Sequence, residues 1–246
     1  MWKKIGLAIV ILLILIAGAG YYLFSNLDSL VKAAIEKYGS EATQTALSVG
    51  GVSLSLTSGS GAITGLTIAN PPGYSAANAV SLGGIALQLD TGSLAGNGPF
   101  VVDNFAITQP QITYEVKGLG QGSNLQTIQD NIQSFASNGS AGEAPAQGSA
   151  PVRKEIIRNL TITGGEVTVL APALSGKTLV EPLPPLHLTD LGGSTGATPA
   201  QIGAQIVSAV INQAAATGAT ALINHQLGTK AIPPAAGSLL KGLFGG

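Results

Sequence analysis

Ser194 lies in a short run that matches a catalytic motif. Residues 192–196 (GGSTG) fit G-x-S-x-G, the strand-to-helix turn that exposes a nucleophilic serine. In that fold the acid of the triad follows the serine, whereas no Asp or Glu follows Asp190 in this chain. Because the chain contains 34 glycines, a chance match is the simpler interpretation. We expect that Ser194 is not a nucleophile and that the protein is not an enzyme.

Glycines and histidines offer two further candidate sites, for a phosphate group and for a metal ion. Gly118, Gly120 and Gly122 have the spacing G-x-G-x-G rather than the dinucleotide-binding G-x-G-x-x-G. The neighbouring strands also look antiparallel, so a flexible turn is predicted there. His187 and His225 lack nearby carboxylates at ligand spacing, and the chain has no cysteine. The sequence therefore predicts neither a cofactor nor a metal ion.

The charge balance argues against a nucleic-acid partner. Charged residues make up 9% of the chain and the formal net charge is -1. Binding to a phosphate backbone requires a basic surface that releases counterions, and this composition does not provide one. Apolar residues reach 45% although aromatic residues reach only 4%, so apolar surface is plentiful and is built from small side chains.

The N-terminus carries the pattern of a membrane segment. The run 5–24 contains no charged residue and has the length of a spanning helix, and Lys3 and Lys4 before it place the N-terminus in the cytoplasm. A cleaved signal peptide is the competing interpretation, since 17–19 (AGA) resembles a cleavage site. Both interpretations export the rest of the chain. Retention is favoured by an interfacial aromatic belt made of Tyr21, Tyr22 and Phe24.

The first exported portion, 25–137, reads as a helix, a sheet and a second helix. Apolar residues at helical spacing predict an amphipathic helix over 26–47. Strands with period-two alternation are predicted at 52–57, 63–68, 80–89, 100–107 and 112–116. The apolar phase flips across Gly65 and again across Gly83 and Gly84, which predicts bulges or bends that curve the sheet. Residues 124–135 form the second amphipathic helix.

The remaining residues divide into a linker, a second β portion and a helical end. Residues 138–152 are almost wholly small or polar and predict a flexible linker. A second β portion is expected over 153–197. Thr198 and Pro199 form a cap and first turn, which predicts a long Ala-rich helix to about Leu227 within the segment 198–246.

In their order and spacing, these features resemble the AsmA family of bacterial envelope proteins, in its short AsmA-like form. The resemblance starts with the membrane helix and the amphipathic segment around 35–39, and it includes Asn124 and Leu125 ahead of a helix. It continues in four stretches that read VSLSLTSGSGAITG at 52–65, LTIANPPG at 66–73, IIRNLTITGGEVTV at 156–169 and LTDLGG at 188–193.

The resemblance implies an α+β fold that is mainly β, a curved antiparallel "taco"-like sheet whose apolar face shelters lipid acyl chains. It places the protein in the bacterial inner membrane as a single-pass protein, with its bulk in the periplasm and membrane lipids as partners. With eight to ten strands at roughly 4.8 Å each, the groove would be about 40 to 50 Å long, short of bridging two membranes unless copies stack. The function implied is phospholipid binding or transfer in envelope maintenance.

Alternation along the strands assigns the candidate residues of this groove. They are Val52, Leu54, Leu56, Leu87, Leu89, Ile107, Ile112 and Tyr114, with Ser, Thr, Gln and Gly on the opposite face. An ordinary sheet whose apolar face is covered by the Ala-rich helix would show the same pattern. A structural or assembly subunit, paired with a second copy or with an envelope protein through its strands, is the alternative function.

Overall fold

The fold is taken from a computed structural model that describes residues 26–55, 57–118, 121–142 and 153–227. Side chains are described in these ranges except at 138–142 and 226–227. The predicted membrane anchor, with Lys3, Lys4, Tyr21, Tyr22 and Phe24, lies outside the described residues. Leu56 also lies outside them.

The described residues form an α+β fold in which one ten-stranded sheet carries four α-helices. The strands are β1 (Leu47–Ser48), β2 (Gly51–Ser55), β3 (Ser60–Ala69), β4 (Asn78–Leu89), β5 (Phe100–Thr108), β6 (Gln111–Glu115), β7 (Glu155–Thr163), β8 (Gly165–Leu170), β9 (Leu179–Leu183) and β10 (Leu186–Leu191). The helices are α1 (Leu27–Thr43), α2 (Thr91–Ala95), α3 (Asn124–Gly142) and α4 (Pro199–Leu227), with a 3-10 turn at Pro172–Leu174. Helix α3 extends into the predicted linker.

The sheet is six strands wide, because eight of the ten strands are joined end to end as the halves of four interrupted strands. We call each of these six positions across the sheet a column. The paired halves are β1 with β2, β5 with β6, β7 with β8, and β9 with β10, while β3 and β4 run the full length. The register of pairing is the same on both sides of each interruption. For example, residue 163 of β7 pairs with residue 108 of β5, and residue 166 of β8 pairs with residue 111 of β6, at the same offset along the chain. Neighbouring columns therefore continue to pair beyond the break.

Four of the six columns are interrupted at the same level, and the continuous strands β3 and β4 each carry a glycine there; we name this line the crease. It consists of Gly50, Gly65, Gly83, Gln109, Gly164 and Pro184. Three of these have positive φ, namely 62° at Gly65, 50° at Gln109 and 67° at Gly164. The backbone N–H of Gly50 donates to the carbonyls of both Thr64 and Gly65, at 2.9 and 3.1 Å. Because pairing stays one to one across the crease, these are local bends; the register shifts of the sheet lie elsewhere, at Ile68/Ala69 of β3 and at Gln88/Leu89 of β4.

The crease keeps the apolar side chains on one face of the sheet. In β3 the inward-facing side chain before Gly65 is Ile63 and the one after it is Leu66. In β4 Leu82 and Ile85 face inward on the two sides of Gly83 and Gly84. A regular strand would put residues three apart on opposite faces, yet all four belong to or pack against the core. The predicted phase flips at Gly65 and at Gly83–Gly84 are therefore confirmed.

The prediction of a wholly antiparallel sheet is wrong, because the sheet is mixed. β7 pairs parallel to β5, and β8 pairs parallel to β6. The connection from β6 to β7 carries helix α3 and returns the chain to the starting end of the sheet. A crossover of this kind makes the two strands parallel, whereas a hairpin would make them antiparallel.

Helix α4 packs on the sheet and begins where the sequence predicted. Thr198 Oγ1 accepts from the N–H of Gln201 at 3.3 Å, and Gln201 Oε1 accepts from the N–H of Thr198 at 3.0 Å, which is a capping box. Its buried positions are Ile202, Ile211, Ala214, Gly218 and Ala221. Within the described ranges, α4 over Pro199–His225 is the one helix long and apolar enough to cross a membrane.

Helix α1 hydrogen-bonds the outer edge of the sheet. Asp28 Oδ1 accepts from the N–H of Leu54 and Glu36 Oε1 from the N–H of Val49, both at 2.9 Å. Ser40 Oγ also accepts from a strand N–H, that of Leu47, at 2.9 Å. Asp28, Glu36 and Ser40 share a stripe along one helix face because four-residue steps nearly complete a turn. The stripe satisfies backbone groups that an edge strand would otherwise offer to another chain.

Substitution of Gly218 tests the packing of α4 against the sheet. A Cβ at Gly218 would lie 2.4 Å from Cδ1 of Tyr114, whereas a Cβ at Gly203 in the same helix would meet nothing within 4 Å. Both Gly→Ala changes gain about the same helix propensity, so their difference reports the clash. We expect Gly218→Ala to be about 1 to 3 kcal/mol less stable than Gly203→Ala in denaturant unfolding. Equal stabilities would contradict this packing.

The edge contacts of α1 can be tested by amide exchange. Asp28→Ala should accelerate exchange at Leu54 several-fold and leave Val49 unchanged, because one net hydrogen bond contributes about 1 kcal/mol. Glu36→Ala should do the reverse, so each variant is the control for the other. Uniform acceleration at both amides in either variant would show general loosening instead.

Candidate functional site

The candidate site is the inner face of the sheet, where apolar side chains from all six columns lie in register. One transverse row consists of Leu54, Gly61, Leu87, Phe105, Leu160 and Leu188. The next row consists of Val52, Ile63, Ile85, Ile107, Ile162 and Leu186. A Cβ at Gly61 would meet Leu54 and Leu87 at 2.8 and 3.0 Å, so these leucines meet over the glycine. Alternation alone had not placed the other strands in these rows.

Part of the inner face is covered by helices α3 and α4. The candidates Ile107 and Ile112 are buried here, with 6% and 2% of their surfaces exposed. Tyr114 is half-buried against Gly218, and burial raises the pKa of its phenol above the ordinary value. Ile107 and Ile112 therefore belong to the core, and Tyr114, which packs against it beneath α4, is only partly accessible.

The rest of the inner face is half-buried, on the side of β2 to β5. We name this area the open patch; it consists of Val52, Leu54, Ile63, Leu87, Leu89 and Phe105. Each of these side chains is neither buried nor fully exposed. Four of the eight groove candidates lie here, and Leu56, which follows β2, is outside the described residues.

The opposite face of the same strands is small and polar. Its rows alternate with the apolar rows, and one of them consists of Ser53, Ala62, Ala86, Ala106, Thr161 and His187. Where the crease crosses this face there is a shallow cavity of about 380 Å³. Gln109, Gln111 and Glu166 help to line it. The two faces therefore offer different surfaces, with large apolar side chains inside and small or polar side chains outside.

Ile63 and Phe105 belong to the open patch although the sequence did not single them out as site residues. Each lies in a predicted strand, so its presence near the sheet was expected. Their neighbours across the strands depend on register, and register depends on the position of the crease. The interruption at a glycine or a proline in several strands is the sequence signal that could have located that line.

A buried polar cluster fastens the loop 70–77 to β6 and to helix α3. Glu115 accepts from the N–H groups of Ser75 and Ala76, at 2.7 and 3.1 Å, and from the amide of Asn70 at 3.0 Å. Asn124 is fully buried; it accepts from the N–H of Glu115 and donates to Asn70, both at 2.8 Å. Asn70 and Asn124 are two of the residues that carry the family resemblance. Their role in the structure is to hold a loop against the sheet.

Hydrogen bonds decide the charge state of this carboxylate. Burial by itself raises the pKa of Glu115, but the bonds from Ser75, Ala76 and Asn70 favour the charged form and outweigh burial. The resulting pKa lies below its ordinary value of 4.5. The cluster therefore holds a charged carboxylate with its donors satisfied, which suits a structural role.

The catalytic look-alikes are dispersed. Ser194 is exposed in a turn between β10 and α4, and His225 lies exposed near the end of α4. Gly118 and Gly122 lie in the connection between β6 and α3, while Gly120 is outside the described residues. The premise that strands around this loop are antiparallel is wrong, since β6 and β8 are parallel. Within the described ranges, no three His, Asp or Glu side chains are grouped to hold a metal ion.

Comparisons with known proteins give no match: no family model, no curated protein and no solved structure is similar to this chain. The AsmA-like resemblance therefore rests on the residues quoted above.

The cluster predicts a pH dependence of stability. Because the pKa of Glu115 is lowered on folding, its carboxylate stabilises the protein above about pH 4.5, and this contribution is lost as the pH falls through the folded-state pKa. Glu115→Gln should cost about 1 to 3 kcal/mol at neutral pH, because an amide cannot accept all three bonds. The difference from the parent should shrink in acid. Glu166→Gln on the exposed outer face is the control, and an equal loss there would contradict the assignment.

Proposed function

We propose that this chain is a non-enzymatic, AsmA-like protein of the bacterial inner membrane that binds phospholipid acyl chains in its open patch. The segment 5–24 anchors it with the N-terminus in the cytoplasm and the sheet in the periplasm. Binding there contributes to phospholipid transfer or to maintenance of the envelope. Neither a cofactor nor nucleic acid takes part.

The observation that carries the proposal is the incomplete cover of the inner face. Apolar rows run from the buried core into side chains that remain partly accessible, such as Leu54, Leu87 and Leu89. A ligand that continues the core must itself be apolar, since a polar group placed there would lose its hydration without a partner. An acyl chain meets that requirement.

The position of helix α1 brings the open patch close to the proposed anchor. The uncharged run ends at Phe24 and α1 begins at Leu27. The helix then lies along β1 and β2, the strands that contribute Val52 and Leu54 to the patch. An anchored chain would therefore hold this side of the sheet near the bilayer surface, where an acyl chain has a short distance to travel.

The size of the sheet favours one lipid molecule over a bridge between membranes. The expected groove of 40 to 50 Å counted every strand as a separate column, but the strands stack as six columns. At roughly 4.8 Å per strand, the sheet is about 29 Å wide. A leaflet contributes about 15 Å to a hydrocarbon core of about 30 Å, so an acyl chain of that depth fits within the patch.

A charge in the open patch tests lipid binding. Leu87→Glu should abolish co-purification of phospholipid, measured by native mass spectrometry of gently extracted protein, because a carboxylate would then face hydrocarbon. Ala86→Glu is the matched control, since Ala86 immediately precedes Leu87, is exposed, and faces the other side of the sheet. It should retain lipid. Unfolding of Leu87→Glu alone would instead indicate a fully covered core.

Photo-crosslinking separates these outcomes without relying on stability. A photoreactive residue at Leu54 or Leu87 should form adducts with lipid, whereas one at Ser53 on the outer face should not. Adducts with protein only, or no adducts at all, would contradict the lipid proposal and favour an assembly subunit.

A further inference from the structure

Helix α1 leaves one line of apolar side chains uncovered. In the described ranges, the large apolar side chains that are exposed are Leu30, Tyr38 and Val180, at 48%, 56% and 56%. Two of the three lie on α1, and Ala34, which is also exposed, lies midway between them. Steps of four residues place Leu30, Ala34 and Tyr38 on one line along the helix. We name this line the outer ridge.

The outer ridge faces away from the sheet. Each of its residues is two positions from a residue that hydrogen-bonds the β1–β2 edge, namely Asp28, Glu36 or Ser40. Two positions correspond to about 200° round a helix, so the two lines lie on opposite sides of α1. The hydrogen bonds to the sheet fix the rotation of the helix and keep the ridge outward. One exposed apolar side chain is ordinary on a protein, but an aligned set held in one direction forms a surface.

The proposed anchor determines what can lie against this ridge. Its uncharged run ends at Phe24, and the three residue steps to Leu27 span at most about 11 Å. The start of α1 must therefore lie within that distance of the point where the chain leaves the hydrocarbon. Tyr38 lies about 17 Å further along the helix. A helix perpendicular to the membrane would carry Tyr38 away from it, whereas a helix along the surface keeps the whole ridge beside lipid.

We infer that α1 lies along the periplasmic surface of the bilayer, with the outer ridge inserted between the headgroups and the acyl chains. This inference rests on the anchor of the proposed function, but not on lipid in the open patch. Leu30 and Ala34 gain free energy by leaving water, and Tyr38 places an amphipathic ring at the level of the headgroups. Lys37 Nζ lies 5.3 Å from the centroid of the Tyr38 ring, so its ammonium stays among the headgroups beside that ring.

The charges of α1 favour contact with the apolar part of the lipid over attraction to anionic headgroups. The helix carries two basic and three acidic side chains, so an anionic surface does not attract it. Glu41 follows Tyr38 by three residues and continues the line of the ridge. The contact therefore ends at Tyr38, and α1 tilts so that its N-terminal end is deepest. This tilt agrees with an anchor that precedes the helix.

This orientation places the open patch beside the bilayer. Because α1 runs along β1 and β2, these strands lie nearest to the membrane and the later columns lie farther away. The transverse row from Leu54 through Leu87 and Phe105 to Leu160 then leads away from the membrane. Its first side chains are half-buried and its far member, Leu160, is fully buried. An acyl chain would therefore enter the patch beside α1.

Fluorescent labels on single cysteines in the full-length protein test this orientation, because the chain has no cysteine of its own. The protein is reconstituted in vesicles of phosphatidylcholine and phosphatidylethanolamine, some with a nitroxide quencher near the top of the acyl chains. A label at Ala34→Cys should be quenched several-fold more than one at Ala33→Cys. Ala33 is the matched control, since it is also exposed, is one residue nearer to the anchor, and lies about 100° round the helix. Tethering alone would quench both labels equally.

A second change shows whether the ridge itself makes the contact. Leu30→Glu and Tyr38→Glu, added to Ala34→Cys, should reduce the quenching several-fold, because each carboxylate would face hydrocarbon. The thermal unfolding midpoint should stay close to that of Ala34→Cys alone, because both side chains are exposed. Equal quenching at the two alanines, quenching insensitive to the added charges, or no quenching at Ala34→Cys would each overturn the inference. So would a disulfide-linked dimer as the main product of Ala34→Cys, since a second copy would then cover the ridge.

Failure of this inference can be distinguished from failure of the proposed function. Release of the parent chain from the vesicles in an alkaline wash would refute the anchor, and this inference with it. An inserted chain whose label at Ala34→Cys is not quenched would overturn this inference alone. Co-purification of phospholipid reports on the open patch, and it is measured separately from the quenching.

Discussion

The crease is the constraint on which the rest of this structure depends. Side chains alternate with a period of two, so a bulge in a single column would turn all of its later apolar residues to the wrong face. The fold avoids this by changing the phase of every column at one level, from Gly50 to Pro184, as a break in four columns and as a glycine inside β3 and β4. Because neighbouring columns change phase together, pairing continues in the same register beyond the crease.

The inner face can serve two purposes. The inner face near β6, β8 and β9 lies under α3 and α4, and on the other side of the crease Ile85, Ile107 and Leu160 are buried as well, so that only side chains such as Leu54 and Leu87 of β2 to β5 remain partly open. The covered part supplies the core that stabilises the domain. Because the covered part supplies that core, Leu54 and Leu87 of the open patch can remain accessible to an apolar ligand. The covered-core interpretation therefore applies to Ile107 and Ile112, which are buried, and the groove remains a proposal for the half-buried side chains such as Leu54 and Leu87.

The two edges of the described sheet are treated differently. At the β1–β2 edge, polar side chains of α1 accept from strand N–H groups, which leaves fewer of them for another chain. At the other edge, Pro182 removes one donor from β9, whereas Val180 of the same strand is exposed. The lipid and assembly functions considered for this chain would use different surfaces, the open patch and the edges of the sheet.

By itself, the sequence determined the local elements: the period-two strands, the cap at Thr198 that opens α4, and the phase flips at Gly65 and Gly83. These elements are determined by residues close together in the chain, because they depend on the periodicity of apolar side chains and on hydrogen bonds within one turn. The tertiary structure alone decided which strands are neighbours. Parallel pairing of β7 with β5 depends on the path of the α3 crossover, and the split between buried Ile112 and half-buried Leu87 depends on where α4 lies. Those are contacts between residues far apart in the chain, and local periodicity is the same whichever partner a strand finds.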